Sequence, residues 1–292
     1  MLSRKHEVTL LGRVGHVEAV KERGLIIRGN VEGTYTPNAE HRTHVVEQPD
    51  IILLTTKAYN TLESAKDIRN SLEPVPVVTL QNGLGNLEIL ERELREPGMT
   101  YAATTSAGAV LERPGILECA GTGFTRIQRP GDSHKRIFDA LVKGLQCSGF
   151  STEYVENIHM ALWEKTAVNL AINYLTGLGG VKNGVVAELY KKDPYFFTSL
   201  MKEVALAAEA DGVELDFDRC LNMVVEVSQN TSKNRSSMLR DLEMHRRTEN
   251  EAIAGEILKR AREGDSRALP YIHCLYNLVS LKERMKDADG NE

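Results

Sequence analysis

Apolar positions in the first half of the chain alternate between short continuous runs and helical spacing. Glu7 to Leu11 and Gly24 to Arg28 are short runs rich in strand formers. Asp50 to Thr56 is a near-continuous apolar run, the pattern of a strand buried on both faces. Tyr59 to Leu72 then takes helical spacing, with Leu62, Ala65, Ile68 and Leu72 on one face. Pro74 to Leu80 reads as the next strand. The turn Gln81-Asn82-Gly83-Leu84-Gly85 follows it, and then a helix from Leu87 to Leu94. Strand, helix, strand, helix is the signature of a parallel sheet with crossover helices.

Tyr101 to Gln128 changes character, with small residues, Gly-rich turns and alternation; it predicts further strands, some antiparallel, closing the sheet. Ser133 to Leu145 is a helix. Beyond Asn157 the pattern is helical throughout: Trp163 to Leu175, Leu200 to Ala210, Arg219 to Val227, Met238 to Ala261 and Pro270 to Met285. The polar tail from Lys286 is expected to fray. The pattern gives an α/β half over residues 1–155 and an all-α half over residues 156–292.

Composition adds exclusions. A formal net charge of -5 argues against broad binding to nucleic acid or anionic membrane. No apolar run is long enough to span a bilayer, and Met1 to His6 is not a signal peptide. Cys119, Cys147, Cys220 and Cys274 form no CxxC pair and read as reduced, buried thiols of a cytoplasmic protein. His41 and His44 lack a third ligand, so no metal is expected. No heptad run argues for a homodimer, although the helical half offers a face for one.

Candidate chemistry begins with Lys165, Asn169 and Asn173, spaced i, i+4, i+8 on an otherwise apolar helix. A solvated face would use Glu, Lys, Arg and Gln; two asparagines, which do not favour helix, point to a polar cleft instead. A lysine there can donate a proton or hold an anion. Lys57 stands at the carboxyl end of a predicted strand, where open parallel sheets bind ligands, or is an ordinary surface lysine. Asn82, in Gln81-Asn82-Gly83, is either a turn residue or a ligand contact at the next strand end. Arg13 follows the first visible strand. If that strand is the second of a dinucleotide fold, an arginine there favours the 2′-phosphate of NADP over NAD. Ser237, in Asn234-Arg235-Ser236-Ser237-Met238, reads by itself as a helix cap, and Glu249 by spacing alone as a solvated-face residue.

Taken together, Gln81-Asn82-Gly83, Trp163 to Asn169, Asn173, Ser236-Ser237-Met238 and Arg247-Thr248-Glu249 resemble the ketopantoate reductase (2-dehydropantoate 2-reductase) family, in its order and with similar separations. The resemblance implies an NADP-dependent oxidoreductase that reduces a small keto acid, ketopantoate, to pantoate for pantothenate and coenzyme A synthesis. It implies that Lys165 protonates the keto oxygen and that Glu249 binds the substrate hydroxyl and positions the lysine. It implies that Asn82 lies near nicotinamide and substrate, and that Asn169, Asn173 and Ser237 bind substrate. Arg13 and Lys57 match residues that hold the 2′-phosphate end of NADPH.

The chain departs from the family pattern at its start, since no G-x-G-x-x-G loop occurs in the 292 residues, so the resemblance implies an incomplete Rossmann-type α/β domain over residues 1–155, lacking its first strand and glycine-rich loop, followed by the all-α substrate-binding and catalytic domain. The expectation is therefore that further residues lie upstream, and that a chain starting at Met1 binds NADPH weakly. A reductase of another small keto acid and a remnant without cofactor are the competing readings.

Overall fold

The computed structural model describes residues 1–263 and 269–289. The chain forms two compact units. One comprises Met1–Thr56, Asn60–Gln81 and Leu87–Ile158; the other comprises Lys57–Tyr59, Asn82–Asn86 and His159–Glu292.

The first unit is α/β. Its largest sheet has five strands: β5 (Ile52–Leu54), β6 (Val77–Thr79), β7 (Thr100–Thr105), β10 (Phe124–Gln128) and β11 (Ser151–Val155), in the order β11-β10-β7-β6-β5. β5, β6 and β7 are parallel, β10 is antiparallel to β7, and β11 is parallel to β10. Alternation along β6 explains why both faces are covered. Val77 packs with Ile68 of α2 (Thr61–Ser71) and with Leu90 and Leu94 of α3 (Asn86–Leu94). Val78, its neighbour, points the other way, to Phe138 and Leu141 of α4 (Lys135–Cys147).

The smaller sheets hold β1 (Thr9–Leu11) with β4 (Asn38–Glu40), and β3 (Gly33–Tyr35), β2 (Leu25–Gly29), β9 (Ile116–Gly121) and β8 (Gly108–Arg113). Among the described residues β1 pairs with β4 alone and β5 with β6 alone. The expected closure of one sheet by Tyr101 to Gln128 therefore holds for β7 and β10 only. β8 and β9 turn at Gly115, whose φ is +78°, and pair onto β2 in a separate sheet. The sequence pattern also misses α1 (Val14–Arg23) and β11. On α2, Thr61, Ala65 and Ile68 are buried while Leu62 is exposed, so the buried face is rotated from the one expected.

The second unit is helical. α5 (Ile158–Gly179) passes through one large apolar cluster, where Trp163, Ala167, Leu170, Ala171 and Tyr174 are fully buried. Around it stand α6 (Gly184–Lys192), α7 (Pro194–Ala210), α8 (Phe217–Asn230), α9 (Ser237–Glu243), α10 (Glu256–Glu263) and α11 (Pro270–Asp289). Asp193 caps α7 through Tyr195 N–H with Pro194 at the first turn, and Asp216 caps α8 through Arg219 N–H. The single long helix expected over Met238 to Ala261 is instead α9, an irregular loop and a π turn over Glu251–Gly255 that runs into α10. α11 continues past Met285 to Asp289; the rest of the expected frayed tail, residues 290–292, lies outside the described residues. Cys119 and Cys220 are buried but Cys147 and Cys274 are exposed, contrary to the expectation for all four. No helix among the described residues is long and apolar enough to cross a membrane.

Candidate active site

The helical unit contains seven of the eight residues singled out in the sequence, because its two short segments bring in Lys57 and Asn82. Glu249 lies at the centre of a hydrogen-bond cluster and is 6% exposed. Its Oε1 accepts the Ala58 N–H at 3.2 Å and its Oε2 accepts Asn82 Nδ2 at 2.9 Å. Lys57 Nζ stands 3.7 Å from the same Oε2 and donates to Asp241 Oδ2 at 2.5 Å. Glu249 is thus not a solvated-face residue, since a buried carboxylate needs these donors.

Local structure fixes the cluster from both sides. Gly83 has φ +84°, and a Cβ there would sit 2.2 Å from the Ala252 carbonyl oxygen. Leu84 N–H donates to that same carbonyl at 2.8 Å. Only glycine lets the Asn82 turn lie against the π turn that follows Glu249. Tyr174 Oη donates to Asn250 Oδ1 at 2.7 Å and accepts the Ala254 N–H at 3.1 Å. Asn250 Nδ2 donates to the Tyr276 carbonyl and to Ser280 Oγ, tying the residue beside Glu249 to α11. π turns recur at functional sites because they displace side chains from regular helical register.

α5 presents Lys165 and Asn169 half-buried and Asn173 buried. Asn169 Nδ2 is buried without a hydrogen-bond partner among the described residues. Asn173 Nδ2 approaches Ser237 Oγ at 3.4 Å. The helix cap expected near Ser237 falls one residue earlier: Ser236 Oγ accepts Leu239 N–H at 3.1 Å and takes a hydrogen bond from Thr176 Oγ1 at 2.7 Å. Ser237 is left exposed, beside Asn173.

Burial pushes the Lys165 ammonium down to about 8, and the Glu249 carboxylate partly opposes that fall. For Lys57, burial acts downward, but the Glu249 and Asp241 carboxylates outweigh it and hold it above the ordinary lysine value. Burial raises the Asp241 carboxyl, and the Lys57 ammonium works against that rise. The two lysines therefore have opposite tendencies: Lys57 stays a cation, while Lys165 can exchange its proton near neutral pH.

Arg13 belongs to the α/β unit. It follows β1 and forms the N-cap of α1, where its carbonyl accepts the His16 and Val17 amides. Its place at a strand end and a helix start suits an anionic group. The same unit uses Gln81 to pin its strand ends, with Oε1 accepting from Thr61 and Thr79 and Nε2 donating to the Thr56 carbonyl. Sequence reasoning passed over Asp241. Its signal was an aspartate on the apolar side of a helix turn, beside Met238, Leu239 and Leu242, all of which are buried. No group of three or more metal-ligating side chains occurs among the described residues.

An α/β unit with parallel strands and a helical unit that carries a half-buried lysine in an amide stripe fit an oxidoreductase of the keto-acid reductase class. The family model "Ketopantoate reductase PanE/ApbA" matches residues 1–131, and its C-terminal model matches residues 157–283, so the chain belongs to the ketopantoate reductase family. It is 34% identical to a 2-dehydropantoate 2-reductase of Pyrococcus horikoshii over 96% of this chain and 90% of that protein. It is 32% identical to one of Halobacterium salinarum over 95% of this chain and 91% of that protein. Among solved structures, D-mandelate dehydrogenase with NADH and anilino(oxo)acetate superposes with a TM-score of 0.87 at 29% identity, covering 97% and 93% of the two chains. A family ketopantoate reductase from Ralstonia eutropha gives a TM-score of 0.85 at 25% identity, covering 98% and 94%.

Proposed function

We propose that the chain reduces 2-dehydropantoate to pantoate, with NADPH as reductant, as a step towards pantothenate and coenzyme A. The helical unit acts as the substrate and catalytic domain and the α/β unit as the cofactor domain. The observation that carries the reading is the α5 stripe: a lysine with a lowered pKa, an amide donor without a hydrogen-bond partner among the described residues and a second amide next to an exposed hydroxyl. Such a donor set suits a small acid that brings a carboxylate, a keto oxygen and a hydroxyl.

The bound nicotinamide supplies the hydride. Lys165 faces the charge that develops on the keto oxygen and gives that oxygen a proton, so a C–H and an O–H bond replace the C=O π bond. Glu249 takes the substrate hydroxyl and keeps the lysine charged by its own negative charge. Asn169 and Asn173 orient the acid, with Ser237. Arg13 fits the 2′-phosphate of NADP, which an aspartate or glutamate at that place would repel. No G-x-G-x-x-G loop for the pyrophosphate occurs in the 292 residues.

The D-mandelate dehydrogenase likeness favours a second reading, in which the acid is another 2-keto acid and the cofactor NADH. The test is oxidation of NADPH and of NADH with 2-dehydropantoate and with an aryl 2-keto acid, each followed by nicotinamide absorbance. Turnover of 2-dehydropantoate with NADPH well above the other three combinations supports the first reading. Preference for the aryl acid with NADH replaces it with the second.

A further inference from the structure

The π turn after Glu249 is built around an inserted hydroxyl. In a regular α-helix the Ala254 N–H would pair with the Asn250 carbonyl, four residues back. Here Tyr174 Oη, from α5, lies between those two groups. It accepts the Ala254 N–H at 3.1 Å and stands 3.3 Å from the Asn250 carbonyl oxygen, while its nearest acceptor is Asn250 Oδ1 at 2.7 Å. Tyr174 is fully buried, and burial pushes its hydroxyl upward in pKa, so it stays protonated and able to donate. A side chain inserted into the helical hydrogen-bond ladder bends or widens the helix at that point. We propose that Tyr174 is a positioning residue: its hydroxyl holds this turn open, and the open turn sets Glu249 and the Ala252 carbonyl against the Asn82 turn.

The proposal rests on the reading of Glu249 as the group that takes the substrate hydroxyl. Every residue in it belongs to the helical unit. The groups that the turn presents are both in use: Leu84 N–H donates to the Ala252 carbonyl at 2.8 Å, and Asn82 Nδ2 donates to Glu249 Oε2 at 2.9 Å. The residues on either side of Glu249 are anchored to α11. Thr248 N–H donates to Glu283 Oε1 at 2.7 Å, and Asn250 Nδ2 donates to the Tyr276 carbonyl at 3.0 Å and to Ser280 Oγ at 2.9 Å. Without the Tyr174 hydroxyl, the Ala254 N–H and the Asn250 carbonyl can pair directly. That closure tightens the turn and draws the Ala252 carbonyl and Glu249 away from the Asn82 turn. Phenylalanine at 174 keeps the ring in the apolar cluster around α5. A tyrosine kept for packing alone would therefore be replaced without moving Glu249.

The experiment compares the full chain as wild type, Tyr174→Phe, Glu249→Gln and the double variant. NMR of nitrogen-labelled protein follows the Leu84 amide and the Asn82 side-chain amide, and the steady-state assay gives KM for 2-dehydropantoate and for NADPH. In Tyr174→Phe both signals should shift, and the Leu84 amide should exchange faster with solvent. KM for 2-dehydropantoate should rise by ~10-fold, the low end for one hydrogen bond to a charged group, with KM for NADPH unchanged. In the Glu249→Gln background the same substitution should add less than ~2-fold, because the carboxylate it displaces is already gone. Unmoved signals in folded Tyr174→Phe overturn the proposal, and so does a full ~10-fold rise in the double variant. If Tyr174→Phe does not fold, the wild type decides. With tyrosine labelled at the ring carbon that bears the oxygen, the Tyr174 hydroxyl proton should exchange slowly and give a cross-peak to the Ala254 amide; a hydroxyl that exchanges at the solvent rate overturns the proposal. Signals that shift as expected in a protein that does not turn over 2-dehydropantoate overturn the substrate reading and leave the positioning role in place.

Discussion

In the helical unit a single apolar cluster runs through α5 to α11 around Trp163, Tyr174, Phe197 and Leu200. The α/β unit instead divides its apolar side chains among smaller clusters. Val77 and Leu90 lie in one, Val78 and Phe138 in another, and Val17 and Val20 in a third. The polar groups follow the same division. The helical unit gathers Lys57, Asn82, Asp241 and Glu249 into one network, whereas the α/β unit spends Gln81 on its own strand ends and leaves Arg13 exposed at a helix start. A continuous close-packed core can hold buried charges at fixed separations, because any slack would cost it packing. A layered unit with several cores has strand ends and loops to offer, which suits an extended ligand better than a proton transfer.

The sharpest way to break this contrast is Lys165→Met. Turnover should fall by ~10²–10⁴-fold, the range for losing a positioned general acid, while the thermal midpoint stays at or above wild type because a desolvated ammonium is gone. Retained turnover would remove the helical unit from the chemistry. Next comes packing. Leu200→Ala should cost about 4–5 kcal/mol in urea unfolding and Leu54→Ala, on a sheet edge, about 2 kcal/mol. Equal costs would mean that the two units do not differ in packing as their clusters imply. Glu249→Gln is expected to lower kcat by roughly 10-fold to 100-fold and to shift the basic limb down, since the lysine loses the charge that opposes its desolvation. In the wild type itself, activity should decline as pH rises through about 8, where Lys165 loses its proton, and be full below it. The smallest effect belongs to the α/β unit. Arg13→Ala should raise the KM for NADPH by ~10-fold and leave that for NADH unchanged.

The legible parts of the sequence were those with short-range periodicity. Lys165, Asn169 and Asn173 showed as a stripe because one helix carries all three at its own repeat. The strands β5 and β6 showed as unbroken apolar runs because both their faces are covered. What escaped was set by partners distant in sequence. Glu249 looked solvated because its donors, the Ala58 amide and Asn82, are 191 and 167 residues away. Asp241 was hidden inside a helix drawn too long, since nothing local announces the loop and π turn between α9 and α10. α1 failed to show because its apolar face is thin: Val17, Ala19 and Val20 are its buried residues. Ser236 and Ser237 exchanged roles because two adjacent serines satisfy a capping signal equally well, and only the backbone at Ser236 decides which of them accepts the amide.

The helical unit is discontinuous, built from Lys57–Tyr59 and Asn82–Asn86 as well as the chain after Ile158. No single cut therefore releases a transplantable helical module with its carboxylate network whole. A chimera joined after Ile158 would inherit Lys165, Asp241 and Glu249 from one parent, and Lys57, the Ala58 amide and Asn82 from the other. Recombination at that seam would keep every helix and still mismatch the carboxylate with its donors, unless both loops travel with the helical half.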